Sequence, residues 1–237
     1  ARLSGIMSLE EIPSKKGTCM TSYDFAISGQ HYLFDVQSFA HTILAAGGDA
    51  YSYALLDRTT QGVIDDVASG AAELGVIMQT STTEDALNSA LAEAGLAFHE
   101  LAVSAPLVAL PASHPFVNAK SLSLEQLADF PYVYFDQGPD APVAFFEEAL
   151  SEVPRAKKVA CTDRASLTEL IMAINGYTVT SGILVGITDG SALTTIPLET
   201  DIKLHLGYVT ADNRELSVMG ERFVSHLARS LDLYANR

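Results

Sequence analysis

The chain has 237 residues, enough to bury a core of normal size in one large domain or two small ones. Its 29 acidic and 14 basic residues give a formal charge of −15, which argues against contact with DNA or an anionic membrane, because such affinity comes largely from Lys and Arg. A composition of 48% hydrophobic and 18% charged residues is globular rather than disordered, and no apolar run approaches the roughly 20 residues that span a bilayer.

Residues 1–21 mix a short helix-like patch with Pro13, Lys15, Lys16 and Gly17 and read as a linker. They contain no basic start followed by an apolar run, so no signal peptide is expected. The spacing then predicts a strand over 23–28, a helix carrying Leu33, Val36, Phe39, Ile43 and Leu44, and a stop at Gly47 and Gly48. A strand over 51–56 follows, with Thr59 and Thr60 available to cap a helix bearing Val63, Ile64 and Val67. A third strand over 74–78 precedes a capping-box pattern of Ser81 and Glu84. This alternation predicts a parallel sheet with covering helices.

The stretch 98–115, FHELAVSAPLVALPASHP, organises the rest. Residues 101–110 read as one buried extended strand that bridges two lobes. Beyond it, Ser123 and Gln126 form a capping box for a short helix, 132–135 a strand, 143–150 a helix and 158–161 a strand. Ser166 and Glu169 form another capping box ahead of Leu167, Leu170, Ile171 and Ile174, and 177–185 is a strand rich in β-branched residues. The alternation at Ile202, Leu204, Leu206 and Tyr208 predicts the returning crossover. Leu216, Met219, Phe223, Leu227 and Leu231 define a terminal amphipathic helix that must bury its face against the first lobe. The expected fold is therefore α/β, with two Rossmann-like lobes joined by two crossover strands. The divisions are a linker over 1–21, lobe I over 22–104 plus 209–237, and lobe II over 105–208, with a cleft between the lobes.

A nucleophile elbow, a phosphate loop, a dinucleotide fingerprint, HExxH and CxxC are all missing from the sequence, so no enzyme is expected. The six histidines have no i,i+4 pair, which gives no basis for a metal, and each reads as a surface or capping residue. No cofactor is expected. Cys19 and Cys161 are too few and too widely separated for a disulfide framework and read as free thiols of a reducing cytoplasm.

Ligands of open α/β sheets bind beyond the carboxyl ends of the strands, near helix N-termini. That rule selects Ser28, Gln30 and His31 after the first strand, Arg58 and Thr60 after the second, and Gln79 and Thr80 after the third. In the second lobe it selects Asp136, Arg164 and Ser166. Thr60 is read as a helix cap with a ligand contact in addition. Arg164 is either the partner of a carboxylate ligand or an exposed surface arginine. The hydroxyls, amides and the two arginines of these loops suggest a small polar or carboxylated molecule.

The run 107–115 (LVALPASHP), followed by 122–131 (LSLEQLADFP) and the strand 132–135, resembles the effector-binding domain of LysR-type transcriptional regulators. The likeness extends over nearly the whole chain, with ELGVI matching the end of the first half-domain. It implies a periplasmic-binding-protein-like pair of lobes of type 2, a small-molecule effector in the cleft, and contacts at Gln30, Thr60, the loop after Phe135, Thr178 and Thr180. Thr178 and Thr180 alternate in a strand and share a face, although threonine is also ordinary strand filler.

The resemblance further implies a cytoplasmic homodimer or homotetramer that meets DNA only through an N-terminal winged helix-turn-helix, with residues 1–10 as the end of a linker helix. Helix 33–44 is a candidate for one side of the subunit contact, unless its apolar flank is all core. The sequence departs from the family at Tyr177, a usual glycine position, and at Gly182, where proline is common. Redox-sensing members carry two cysteines in the second lobe, whereas this chain has only Cys161 there, so sensing by an internal disulfide is not expected. The alternative on the same fold is the periplasmic solute receptor of a transporter.

Overall fold

A computed structural model describes residues 23–183 and 193–235. The expected linker, Cys19 and the end of the strand expected over 177–185 lie outside the described residues. In chain order the first lobe contains β1 (Phe25–Gly29), α1 (Leu33–Ala46), β2 (Tyr53–Asp57), α2 (Thr60–Ser69), β3 (Leu74–Thr80), α3 (Glu84–Glu93) and β4 (Leu96–Ser104). The second contains β5 (Leu107–Pro111), β6 (Tyr132–Phe135), β7 (Lys158–Cys161), α4 (Arg164–Ile174), β8 (Thr178–Thr180) and β9 (Leu193–Pro197). The chain then returns through β10 (Leu204–Ala211) and ends in α5 (Val218–Ala235).

The first sheet has the order β2-β1-β3-β10-β4, with β1 parallel to β2 and β3 and with β10 antiparallel to β3 and β4. β10 therefore lies in this sheet along its whole length, and the passage back between the lobes is made by residues 198–203. The outward passage also differs from a single strand over 101–110. It breaks at Ala105 and Pro106, because proline has no N–H to continue the ladder, and β4 and β5 enter different sheets. Where β10 and β4 cross, Gly207 lies so close to the carbonyl oxygen of His99 that a Cβ there would collide with backbone.

In the second lobe β5 pairs antiparallel with β8 and β9, and β6 pairs parallel with β7. A parallel bridge between Tyr132 and Tyr177 ties β6 to the residue before β8.

α1 buries Phe34 and Phe39 and leaves Val36 and Leu44 exposed, so part of its apolar surface is core and part is not. α5 buries Phe223, Leu227 and Leu231 completely and packs against α1, with Phe223 edge-on to Phe39 at a centroid distance of 6.5 Å. This is the docking that its apolar spacing requires.

Several local expectations give way to tertiary contacts. Thr59, not Thr60, caps α2 by accepting from Gly62 N. Asp163 caps α4 by accepting from Ser166 N, so the Ser166–Glu169 box is not used. Thr83 occupies the cap position of α3 without a side-chain bond to the helix, in place of Ser81. The Ser123–Gln126 box forms its reciprocal bonds, but the residues after it are turns rather than a helix. Only Val143–Phe145 of the helix expected over 143–150 is helical, as one 3₁₀ turn.

Candidate functional site

The loop after β1 is the meeting point of the lobes. His31 precedes Tyr32, the N-cap of α1, and its side chain is 5% exposed. Its backbone N donates to Glu147 Oε2 at 2.9 Å, and its Nδ1 lies 2.8 Å from Glu147 Oε1. Gln137 Nε2 also donates to Glu147 Oε1, at 2.8 Å. A carboxylate of the second lobe thus occupies the N-terminal end of α1, where free amides and the helix dipole favour an anion. The His31 ring also stacks on Phe135 with centroids 4.1 Å apart.

Arg164, the first residue of α4, crosses in the same direction. Its Nη1 donates to Tyr32 O at 2.8 Å and lies 3.6 Å from Asp35 Oδ1, while Nη2 is bonded to Asp57 Oδ1. Arg164 is therefore neither an exposed arginine nor a free partner for a ligand carboxylate. Gly29 makes room for this cluster, because a Cβ on it would sit 2.5 Å from Asp35 Oδ2. Arg58, the other expected cation, is paired with Asp66 at 3.0 Å.

Gln30 and Thr60 form the third link. Gln30 Oε1 accepts from Met78 N and Tyr32 Oη, both at 2.9 Å, and its Nε2 donates to Thr60 Oγ1. Thr60 donates in turn from Oγ1 to Phe145 O at 2.6 Å and from its backbone N to Gln137 Oε1 at 2.8 Å. Phe145, from the second lobe, is buried with Val63, Ile64, Leu87 and Leu91 of the first. Thr60 thus holds the lobes together and Gln30 positions it from within the first lobe, and neither side chain faces solvent.

Between the lobes lies a cavity of about 440 Å³. Of the residues expected at a ligand, His31, Arg164, Thr178 and Thr180 line it. Ser28, Gln30, Arg58, Thr60, Gln79, Thr80, Asp136 and Ser166 do not. Ser28 Oγ is bonded to Asp66, Gln79 to Asn88, and Thr80 to the hydroxyls of Thr82 and Thr83, while Asp136 accepts from Gly138 N. The cavity wall also includes residues that strand-end reasoning passes over, chiefly Tyr32, Glu147, Glu148 and Glu169. The signal for two of them was present. The run VAFFEEAL places two acids inside an otherwise apolar stretch, and acids so placed are buried only when something holds them.

Burial pushes the Glu148 carboxyl well above the usual range, and the neighbouring Glu147 charge adds to this. Burial does the same to Asp35 despite the nearby Arg164. For His31 burial acts downward, but the hydrogen bond and charge of Glu147 outweigh it and the net shift is upward. All three groups hold protons in the folded state that the unfolded chain releases. Their stabilisation is complete below the unfolded pKa values, about 4 for the carboxyls and about 6.5 for the imidazole, and is lost as pH rises through the folded values. The melting temperature is accordingly expected to fall as pH rises above the unfolded carboxyl value of about 4, at constant ionic strength. Glu148→Gln should flatten that slope, and an unchanged slope in the variant would exclude Glu148 as a contributor.

Residues 52–232 match the family model described as the LysR substrate binding domain. The chain belongs to this family. Among solved structures, this LysR-type domain is similar to the reduced OxyR regulatory domain from Pseudomonas aeruginosa, with 14% identity, a TM-score of 0.59, and coverage of 88% of this chain and 94% of that one. It is similar to HinK, a LysR family transcriptional regulator of the same organism, at 16% identity and a TM-score of 0.59, over 87% of this chain and 71% of that one. The effector-binding domain of QuiR, solved with shikimate, gives 12% identity and a TM-score of 0.56 over 86% and 95% of the two chains. At these identities the structural likenesses bear on the fold alone. No curated protein matches in sequence.

The LysR-type effector domain has the two-lobed fold of type 2 periplasmic binding proteins, and the family match disfavours the transporter-receptor reading. Among the described residues no helix is long and apolar enough to cross a membrane, and no His, Cys, Asp and Glu group could hold a metal.

Cys161 is buried and its thiol donates to Tyr134 O at 3.5 Å. Burial pushes it up to about 11, so at neutral pH it is a thiol and not a nucleophilic thiolate. Alkylation of Cys161 in the native domain, resolved by mass spectrometry, is expected to be about a hundredfold slower than in the unfolded chain, following the thiolate fraction. Equal rates would show that the site opens freely.

Proposed function

We propose that this LysR-type domain senses a small molecule held in the interlobe cavity and passes the result, as a change in lobe arrangement, to a winged helix-turn-helix carried elsewhere in the regulator. The observation that carries the proposal is the coincidence of the cavity with the polar contacts that set the lobe arrangement. His31, Glu147 and Arg164 line the cavity and also join the lobes. A ligand touching them acts on the interlobe equilibrium directly, to the extent of its differential affinity for the two arrangements. No catalytic role is assigned to the domain.

A molecule of the size of shikimate, which the QuiR domain holds, is within the cavity volume. We place the regulator in the cytoplasm as a homodimer or homotetramer, with the exposed Val36 and Leu44 of α1 contributing to subunit contact. The wall is mainly apolar, and the two arginines that suggested a carboxylate are both paired with aspartates.

The test is a thermal-shift screen of metabolites against the domain and against Ala109→Phe, which fills the cavity from β5. An effector at about 100 times its Kd adds about 2.7 kcal/mol of stability. Hits whose shift disappears in Ala109→Phe support the cleft as the sensor, whereas hits that stabilise both proteins equally place binding elsewhere.

A further inference from the structure

The cavity wall contains two polar groups that the fold leaves without a partner. Glu148 is 4% exposed, and its Oε1 accepts from Phe135 N at 2.8 Å, but Oε2 has no hydrogen-bond partner. Thr178, 5% exposed, has an unpartnered Oγ1. Both line the cavity from the second lobe, Glu148 anchored at the end of β6 and Thr178 on β8, which the Tyr132–Tyr177 bridge ties to β6. A buried polar group without a partner is costly, and when it lines a cavity a ligand can supply the missing bond.

The charges around these groups select the ligand. Three glutamates, Glu147, Glu148 and Glu169, line the cavity, with Glu169 exposed. Among the described residues the cationic groups in the wall are Arg164, bound to Asp35 and Asp57, and His31, bound to Glu147. Arg155, which acts electrostatically on Glu148, does not line the cavity and donates to Leu150 O, Val153 O and Tyr177 Oη, although its Nη2 is unpaired. Residues 184–192 contain no Lys, Arg or His. An entering carboxylate would have to displace an existing ion pair, whereas an entering cation meets the unpartnered Oε2 of Glu148.

We propose that the effector of this domain carries a protonated amine, which binds the Glu148 carboxylate and the Thr178 hydroxyl, with an apolar body against Leu33, Phe135 and Ile183. This assignment rests on the cleft being the effector site. It differs from the carboxylated effector that the sequence suggests, because both loop arginines are already paired. Ammonium binding also has a thermodynamic signature. Burial pushes the Glu148 carboxyl upward and a neighbouring ammonium favours its ionised form, so amine binding is expected to release protons to the extent that the carboxyl holds one in the empty cavity. A carboxylate at the same place favours the protonated form of Glu148 and would release none.

The test uses matched probes on common skeletons: phenethyl, cyclohexylmethyl and hexyl amines, and the corresponding carboxylates. Each is titrated calorimetrically into the domain at millimolar concentration in two buffers of different ionisation enthalpy. Binding by the amine series with proton release is expected, together with a loss of roughly tenfold or more in affinity in Glu148→Gln and a smaller loss in Thr178→Val. Thr178→Val keeps the side-chain shape and serves if Glu148→Gln folds poorly. Binding by the carboxylates instead, amine affinity unchanged in both variants, or binding by neither series overturns the amine assignment. Failure of the cleft reading is read separately, from metabolites that bind with equal effect in Ala109→Phe.

Discussion

Phe223→Ala is expected to destabilise the domain by about 4 kcal/mol, the usual cost of removing a large aromatic side chain from a closed core. Phe223 is completely buried, lies edge-on to Phe39, and shares a cluster with Phe25, Leu227 and Leu231. Its aromatic neighbour Phe39 is itself stacked on Phe25 with centroids 6.0 Å apart, which holds it away from the vacated space. Urea unfolding at a fixed pH is the measurement. The midpoint should fall while the dependence on denaturant stays the same, because the folded surface changes little. A loss below about 1 kcal/mol, the range of ordinary surface changes and mild repacking, would mean that α5 is not seated on α1 as described.

Glu147→Ala is the second large effect. The substitution leaves His31 N, His31 Nδ1 and Gln137 Nε2 without their acceptor in a closed interlobe layer. Breaking a buried hydrogen-bonded charge pair from one side costs about 3 to 5 kcal/mol, and the lower figure is expected here because water can enter from the adjoining cavity. The same change leaves the burial that pulls the His31 imidazole down but removes the carboxylate that raises it, so its titration should shift to lower pH. Proton NMR of the His31 ring reads this directly. Small-angle scattering should show a more open pair of lobes, and a variant with unchanged scattering, stability and His31 titration would mean that Glu147 does not hold the lobes.

The strand and helix alternation of the first lobe is legible in the sequence because each signal is local. Val63, Ile64 and Val67 mark a helix face whatever lies opposite, and the spacing of Phe223, Leu227 and Leu231 specifies a buried stripe long before α1 is known to receive it. Residues 143–150 mislead for the opposite reason. Their composition suits a helix, but Glu147 and Glu148 are drawn to His31 N and Phe135 N, and Leu150 takes a positive φ of 61°, so the segment follows its long-range bonds.

Thr60 illustrates the same limit at the site. Thr59 and Thr60 are equally good caps by type, and what separates them is the carbonyl of Phe145, 85 residues away. Strand-end reasoning thus reaches the right loops. It does not say which polar side chains the two lobes already use on each other, and here Thr60 and Arg164 are used in that way, with Gln30 bonded to Thr60 behind it.

The position of β10 has a consequence for biosynthesis. β3 and β4 are separated in the sheet by a strand that lies about 100 residues further along the chain, so neither can complete its ladder while the ribosome is still making the second lobe. The second lobe, whose strands are contiguous in sequence, can assemble first, and two open strand edges wait for residues 204–211. A nascent chain stalled before Leu204 would hold most of the first lobe's residues with its sheet interrupted at the centre, which is the form most in need of a chaperone.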